Sequence, residues 1–201
     1  MRTREEIVRE LSSVMDRAYE LGLELGHDNI LEKAKWKEEV MGMILGDRVF
    51  SKSTGEVKGA DAVNEETGEI REYKTQELKP HEVDSFFESV VDGTKTFAGK
   101  MTYNGAGGTG DDLGKKSREI INSYKDFGHY HGVFYRGKCL AITKVDTDYV
   151  TSDSGLMKRV LNEESGQKYS STNGNGVGVH YENGGVREGE GKVVYLNDIR
   201  K

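Results

Sequence analysis

The sequence predicts an α/β domain in which a central mixed β-sheet is flanked by helices. Up to Gly46, apolar residues recur every three or four positions, which is typical of amphipathic helices. Beyond Gly46 the chain divides into short extended runs separated by glycine-containing turns. Two apolar runs, Tyr130 to Tyr135 and Cys139 to Val145, form a hairpin suited to the centre of the sheet.

The composition predicts one globular domain. Of the 201 residues, 34% are hydrophobic and 32% are charged, and no shift in composition divides the chain. The 26 glycines against one proline indicate many turns and loops. We therefore expect a single domain with a core at about 29–145, an N-terminal helix within 1–28 and a glycine-rich C-terminal extension at 146–201.

Several classes of protein are disfavoured by the sequence. No apolar run approaches the roughly 20 residues of a membrane span, and the first residues lack the apolar centre of a signal peptide, so we expect a cytoplasmic protein without a membrane partner. Cys139 is the only cysteine, which excludes an intramolecular disulfide and a cysteine-based zinc site. The net charge of −6 argues against non-specific coating of nucleic acid but allows local basic patches.

The first predicted helix ends near Gly26. Its apolar residues alternate steps of four and three, with charged residues between them. They are Ile7, Leu11, Val14, Ala18, Leu21 and Leu25. This spacing fits a helix that packs on its own domain, and it also fits a short coiled coil that makes a dimer contact.

The second predicted helix runs from about Asn29 to Leu45 and stops at Gly46. Glu38 falls in the middle of its apolar side, where an isolated charge is unfavourable. One explanation is a boundary glutamate paired with a nearby lysine. The other is a carboxylate that reaches a site built by the strands.

Three strands and then a helix follow in the prediction. The strands are Arg48 to Lys52, Val57 to Val63 and Glu69 to Gln76, joined by turns that suit hairpins. A helix is expected from Pro80 to about Val91. Further along we expect an extended run at 95–103, helices at 115–127 and 154–162, and two polar strands near 177–181 and 192–196.

Three charged side chains on these strands suit phosphodiester hydrolysis. Asp61 lies in the second strand, and Glu72 and Lys74 point to the same side of the third because side chains alternate along a strand. Two carboxylates can hold a hard divalent cation, and a neighbouring lysine can stabilise the charge that develops on a phosphate. The alternative is a solvated hairpin with an ordinary charge pair.

The order of these motifs resembles the common core of the PD-(D/E)xK nuclease superfamily. The resemblance covers about 30–145 and rests on Glu38 in the helix, Asp61 in Gly-Ala-Asp-Ala-Val, and Glu72-Tyr73-Lys74-Thr75. It implies that Asp61 and Glu72 bind Mg²⁺, that Lys74 orients or activates the attacking water, and that Glu38 assists the metal site. Ala60 stands where the proline of the family's name would be.

This resemblance implies a restriction-endonuclease-like fold and an Mg²⁺-dependent endonuclease for double-stranded DNA, with Mn²⁺ as a substitute. A type II restriction enzyme is the first expectation, and a repair, recombination or phage nuclease of the same core is the second. Cutting both strands with a small domain would require a homodimer whose two-fold symmetry matches a palindromic site. A non-catalytic DNA-binding or interaction protein that keeps the fold is the alternative from another class.

Two polar, glycine-rich stretches are the candidate DNA-contacting surface, because their side chains can reach phosphates or base edges. A plain linker and a plain surface loop are the alternatives. The candidate residues are Lys100, Tyr103, Asn104, Lys115, Lys116, Arg118, Ser170, Ser171, Thr172, Asn173 and Asn175.

Two further patterns are weaker. The glycines at 105–110 satisfy a dinucleotide-binding fingerprint, but the preceding segment is too polar for its buried strand and no βαβ alternation surrounds it, so we expect no nucleotide cofactor. His129 and His131 stand without neighbouring acids in the sequence, which favours ordinary strand-edge histidines over a metal site.

Overall fold

The computed structural model describes residues 2–32, 35–51, 60–103, 118–119, 121–158 and 175–200. The helices within these ranges are α1 (Arg4–Glu24), α2 (Lys35–Leu45), α3 (Val83–Val90) and α4 (Thr147–Thr151), with a 3₁₀ turn at Pro80–Glu82 and another at Tyr124–Asp126. The strands are β1 (Arg48–Val49), β2 (Ala62–Val63), β3 (Ile70–Glu77), β4 (Phe97–Tyr103), β5 (Gly128–Tyr135), β6 (Lys138–Val145), β7 (Asn175–Glu182), β8 (Gly185–Val186) and β9 (Gly191–Leu196).

The main sheet has six strands in the order β1-β2-β3-β5-β6-β9. The first three form an antiparallel meander, as the two turn sequences predicted. β3 then pairs in parallel with β5, from Arg71 opposite Gly128 to Glu77 opposite Phe134, and β6 and β9 continue antiparallel. The predicted mixed sheet flanked by helices is therefore confirmed.

A second sheet with the order β4-β7-β8 covers one face of the first. It pairs β4 with β7 along all of Phe97 to Tyr103. Val177, Val179 and Tyr181 are completely buried, so β7 contributes side chains to the core. The average hydropathy of β7 is low because Gly176, Gly178 and His180 alternate with the buried residues, and the strand therefore reads as polar in the sequence.

The core has one part on each face of the main sheet. On one face, Met41 of α2 packs with Tyr73, Tyr130 and Ile142 from the strands. On the other face, Phe86 and Phe87 of α3 pack with side chains of both sheets. The prediction of a helix after Pro80 is confirmed, with Val83, Phe86, Phe87 and Val90 buried.

Among the described residues, helix α1 contacts the rest of the domain near its C-terminal end. Thr3 caps its start by accepting from the N–H of Glu6 at 3.2 Å, and Gly26 at φ 85° ends it. A Cβ on Gly22 would lie 2.5 Å from the Cβ of Ile30, so glycine is needed where the helix meets the following loop. Most of its apolar face is exposed, which contradicts simple packing on its own domain.

The region after β6 differs from the prediction. Helix α4 starts at Thr147, capped by the Asp146 side chain that accepts from the N–H of Asp148 at 2.9 Å. Of the helix predicted at 154–162, residues 157–158 are helical, and 159–162 lie outside the described residues. The short helix α4 was not predicted, because it contains threonine and valine, which have low helix propensity.

The predicted helix at 115–127 lies partly outside the described residues. Residues 118–119 and 121–123 are helical, and Ile121 and Tyr124 are buried as expected. None of the helices in the described part of the chain is long and apolar enough to cross a membrane.

Candidate active site

Asp61 immediately precedes β2 and is held by hydrogen bonds to strands on both sides. Its carbonyl accepts the N–H of Phe50 at 2.8 Å, and its own N–H donates to the carbonyl of Arg71 at 2.9 Å. Its side-chain Oδ2 accepts the N–H of Tyr73 at 2.8 Å. A regular antiparallel ladder would offer that N–H a backbone carbonyl, so the carboxylate replaces a main-chain acceptor. This arrangement fixes the carboxylate against β3.

Glu72 and Lys74 occupy the face of β3 that is opposite to Tyr73. The Nζ of Lys74 contacts Oε1 of Glu72 and donates to the carbonyl of Tyr73 at 3.3 Å. The side chains of Glu72 and Lys74 are 7% and 19% exposed, so this ion pair is largely removed from water. Strand alternation alone predicted that the two side chains share a face.

Burial and the neighbouring carboxyl group of Asp61 favour the protonated form of Glu72. Burial, and after it the negative charge of Asp61, raises the pKa of Glu72 to about 7, although Lys74 acts in the opposite direction. A hydrogen bond between the carboxyl groups of Glu72 and Asp61 contributes to the same shift. Two carboxyl groups this close cannot both ionise freely without a positive partner.

Glu38 reaches the same cluster from α2. Its side chain is 12% exposed, and Lys35 Nζ lies 2.6 Å from Glu38 Oε2. Burial, and next the charge of Asp61, raises the pKa of Glu38 to about 7, whereas Lys35 and Lys74 lower it. Glu38 therefore pairs with a lysine, and it also interacts electrostatically with the acid that precedes β2.

A wall of aromatic side chains shields the site. Lys74 Nζ lies 5.2 Å from the ring centroid of Tyr103. The Tyr103 hydroxyl is 2.9 Å from His129 Nδ1, and His129 Nε2 is 2.9 Å from the carbonyl of Tyr124. Because a carbonyl only accepts, Nε2 carries the proton and Nδ1 accepts from the hydroxyl. Burial lowers the pKa of His129 to about 4, so this histidine is neutral at pH 7.

The sequence suggested that the two histidines lie at a strand edge, but in the structure they lie in the interior of the protein. His129 and His131 are completely buried on the same face as Glu72 and Lys74, to which they are paired across β3 and β5. The Nδ1 of His131 lies 3.0 Å from the hydroxyl of Tyr181. The even spacing of these histidines with Val133 in an apolar hairpin was the signal for their burial.

A buried network on the other face of β3 supports the site, and it was missed in the sequence. The side chain of Asp47 has no exposure and accepts from Arg71 Nη1 at 2.6 Å and from Asn64 Nδ2 at 2.9 Å. The hydroxyl of Tyr73 also contacts it. The network joins the residue before β1 to β3, which carries Glu72 and Lys74. Its members are far apart in sequence and form no motif.

Asp61 and Glu72 are the residues of the cluster that could hold a divalent cation. Mg²⁺ in proteins is typically held by one or two carboxylates, with waters and substrate phosphates as the remaining ligands. Among the described residues, no group of three or more His, Cys, Asp or Glu side chains is arranged to hold a metal ion. The two adjacent carboxylates are therefore the only donors in the cluster that we consider for such an ion, and Glu38 interacts electrostatically with Asp61.

The predicted DNA-contacting residues are distributed unevenly. Lys100 is exposed on β4, whereas Tyr103 is 1% exposed and therefore supports the site from within instead of presenting a surface. Arg118 Nη1 lies 3.7 Å from the sulfur of Met157. Asn175 starts β7, opposite Tyr103. The remaining candidates, Asn104, Lys115, Lys116, Ser170, Ser171, Thr172 and Asn173, lie outside the described residues, as do the glycines at 105–110.

Comparisons with known proteins leave the site to be interpreted from its own geometry. No protein-family model matches the chain, and no curated protein matches it. The four residues predicted as catalytic are nevertheless brought into one electrostatically coupled cluster from α2, β3 and the residue before β2.

Proposed function

We propose that the protein is an Mg²⁺-dependent endonuclease that hydrolyses phosphodiester bonds of double-stranded DNA. The observation that carries the proposal is the convergence of Asp61, Glu72 and Lys74 with Glu38 at one buried place. Perturbed titration of several acids beside a lysine is typical of functional sites. An isolated surface charge pair, the main alternative for this motif, would leave these side chains solvated, and they are not.

Each residue has a distinct task in this proposal. Asp61 and Glu72 would hold the ion, which when bound supplies a Lewis acid and lowers the pKa of a coordinated water. Lys74 adjoins Glu72 and would stabilise the negative charge that grows on the phosphate. Glu38 interacts with Asp61 and with Lys74, so it would adjust the charge balance of the site. Tyr103 and His129 exclude water behind Lys74.

The arrangement of elements supports the same proposal. The resemblance to the PD-(D/E)xK nucleases rests on a helix, three strands in hairpin succession, a second helix and further strands. In the structure α2 is followed by the antiparallel meander β1-β2-β3, then by α3 and β4, and then by the hairpin β5-β6. Within this class a type II restriction enzyme remains the first expectation, and a repair, recombination or phage nuclease is the second.

The test is cleavage of unmodified mixed-sequence DNA by the purified protein with Mg²⁺, and in parallel with Mn²⁺, followed by sequencing of the ends. We expect Asp61→Asn, Glu72→Gln and Lys74→Ala each to lower the cleavage rate by about 100-fold or more, because each removes a group that acts on the reacting phosphate. Discrete fragments would identify a restriction enzyme, and nicking without sequence preference would identify the second class.

Lys95→Ala is the matched control, because Lys95 also pairs with a glutamate, at 2.6 Å from Glu88 of α3, but its side chain is 55% exposed. Its cleavage rate should equal that of the parent. If Asp61→Asn or Lys74→Ala cleaved at the parental rate, the site would be wrong. DNA binding by the parent without cleavage of any substrate would favour the non-catalytic binding protein.

A further inference from the structure

Helix α1 exposes an apolar face that a folded domain would ordinarily cover. The helix has 21 residues and is therefore about 32 Å long. Leu11 and Val14 are 58% and 59% exposed at its centre. Contiguous apolar surface of this kind marks an interaction site when it is bordered by charged residues. The exposed apolar side chains along it include Ile7, Val8, Leu11, Val14, Met15, Leu21 and Leu25.

The border of this face has a definite arrangement of charge. In the heptad notation abcdefg, Leu11 and Ala18 occupy a positions, and Val14 and Leu21 occupy d positions. One flank, the e positions, is apolar and includes Val8 and Met15. The other flank, the g positions, carries Glu10 and Arg17, followed by Glu24. The helix is thus apolar on one flank and charged, with both signs, on the other.

We propose that α1 pairs antiparallel with α1 of a second copy of this chain. In an antiparallel pair g positions face g positions and e positions face e positions. When Leu11 of one copy lies opposite Val14 of the other, Glu10 faces Arg17 of the second copy. The two-fold axis repeats that contact, so the dimer has two interchain ion pairs on one flank, and Val8 faces Met15 on the other flank.

Other alignments of the two helices match less well. Shifting the antiparallel pair by one heptad brings Arg17 opposite Arg17, or Glu10 opposite Glu10, and like charges repel. A parallel pair in register would place Glu10 beside Met15, which gives no ion pair. It would also place Ala18 beside Ala18, and these two small side chains would fill their layer of the helix interface poorly. The charges and the side-chain volumes therefore select one antiparallel register.

A groove beside the helix favours the same arrangement. It has a volume of about 520 Å³ and is bounded on one side by Ala18, Leu21 and Leu25 of α1, and on the other by Ile30, Trp36 and Val40. In the proposed register Ile7 of the second copy lies opposite Ala18, the smallest side chain of the stripe, at this groove. The second copy thereby covers both the helix and the adjoining apolar wall.

The ion pairs within one chain do not prevent this dimer. Glu10 contacts Arg2, and Arg17 lies 2.8 Å from Glu20, but the side chains of Glu10 and Arg17 are each 60% exposed and can reorient. The inference does not depend on the proposed nuclease activity, because the pairing uses no residue of the candidate active site.

The test is sedimentation equilibrium of the full chain and its charge-reversed variants. We expect the parent to dimerise, and Arg17→Glu and Glu10→Arg each to weaken the dimer by about tenfold or more, since each creates two like-charge contacts. The double variant E10R/R17E should recover the parental affinity. Mixing the two single variants should produce a heterodimer, because each then supplies the sign of charge that the other lacks.

Arg9→Glu is the matched control: Arg9 lies on the outward face of the same helix, is 78% exposed, and should not alter dimerisation. Circular dichroism of each variant checks that the helix remains intact. A parent that stays monomeric at high micromolar concentration would overturn the proposal and assign the face to another occupant. Failure of the mixed variants to associate would overturn the antiparallel register.

Discussion

At the scale of single residues, the sequence predicted the residues of the candidate site that lie close together in a recognisable motif. Asp61, Glu72 and Lys74 were predicted to act together because strand alternation places two of them on one face, and the structure brings Asp61 to them. The function of Asp47 could not be predicted in the same way. Its partners Asn64, Arg71 and Tyr73 are 17 to 26 positions away, and only the folded chain joins them.

Replacement of Glu72 by glutamine should stabilise the protein above pH 7 in the absence of divalent cations. The folded protein raises the pKa of Glu72 from 4.5 to about 7, so its stabilising contribution is present below about 4.5 and is lost as the pH rises through 7. Urea denaturation at pH 8 with a chelator should show a gain of about 1–3 kcal/mol for Glu72→Gln.

Glu69→Gln is the control with the opposite sign. Burial acts to raise the pKa of Glu69, but hydrogen bonds from Lys144 and Arg71 outweigh it, and the pKa is lowered overall. Glu69→Gln should therefore lose stability at pH 8. A loss of stability for Glu72→Gln as well would show that the Lys74 ion pair outweighs the repulsion from Asp61.

Asp47→Asn should destabilise the protein by about 3–5 kcal/mol, because it leaves the buried guanidinium of Arg71 without its full counter-charge. Chemical denaturation measures this loss. Asp126→Asn, on the exposed surface, is the control and should change stability by less than about 0.5 kcal/mol. An equally small effect for Asp47→Asn would mean that the network is not a significant support of β3.

At the scale of elements, local pairings were predictable and distant ones were not. The pairings β2-β3 and β5-β6 follow from turns that lie within a few residues of each strand. The pairing of β4 with β7 joins segments more than 70 residues apart, and glycines at alternate positions of β7 weaken its pattern. Consequently the sequence did not predict the second sheet, or the packing of Tyr103 from that sheet against Lys74.

The junction between α1 and the domain gives a prediction at this scale. Gly22→Ala should destabilise the native structure by about 1–3 kcal/mol, because the new Cβ would lie 2.5 Å from the Cβ of Ile30. Thermal denaturation measures the loss. Ser12→Ala, on the exposed surface of the same helix, is the control and should not destabilise it. Equal stability of the two variants would show that the loop moves away at little cost.

At the scale of the whole molecule, buried acids and buried histidines oppose each other as the pH changes. Burial lowers the pKa of His129 and of His131 from 6.5 to about 4, so the stability that the histidines contribute is lost as the pH falls through that range. Glu38 and Glu72, with pKa values near 7, instead add stability as the pH falls. The two effects overlap between about pH 4.5 and 6.5.

Removing the acids should therefore expose the contribution of the histidines. The double variant E38Q/E72Q should lose stability between pH 6.5 and 4.5 more steeply than the parent, as measured by urea denaturation at several pH values. Glu66→Gln, in an exposed turn, is the control and should follow the parental profile. Parallel profiles for parent and double variant would mean that the glutamates bind no additional proton on folding in this range.

The parallel pairing of β3 with β5 also determines the order in which the candidate site is assembled. Asp61 and Glu72 are only 11 positions apart and meet when a local meander forms, whereas His129 arrives on a strand that closes a crossover of about 50 residues. Because long closures are slow, we expect the two carboxylates to come together in water first and to be desolvated later. Closing the crossover would then enclose two like charges, and we predict that a proton or a divalent cation accelerates refolding.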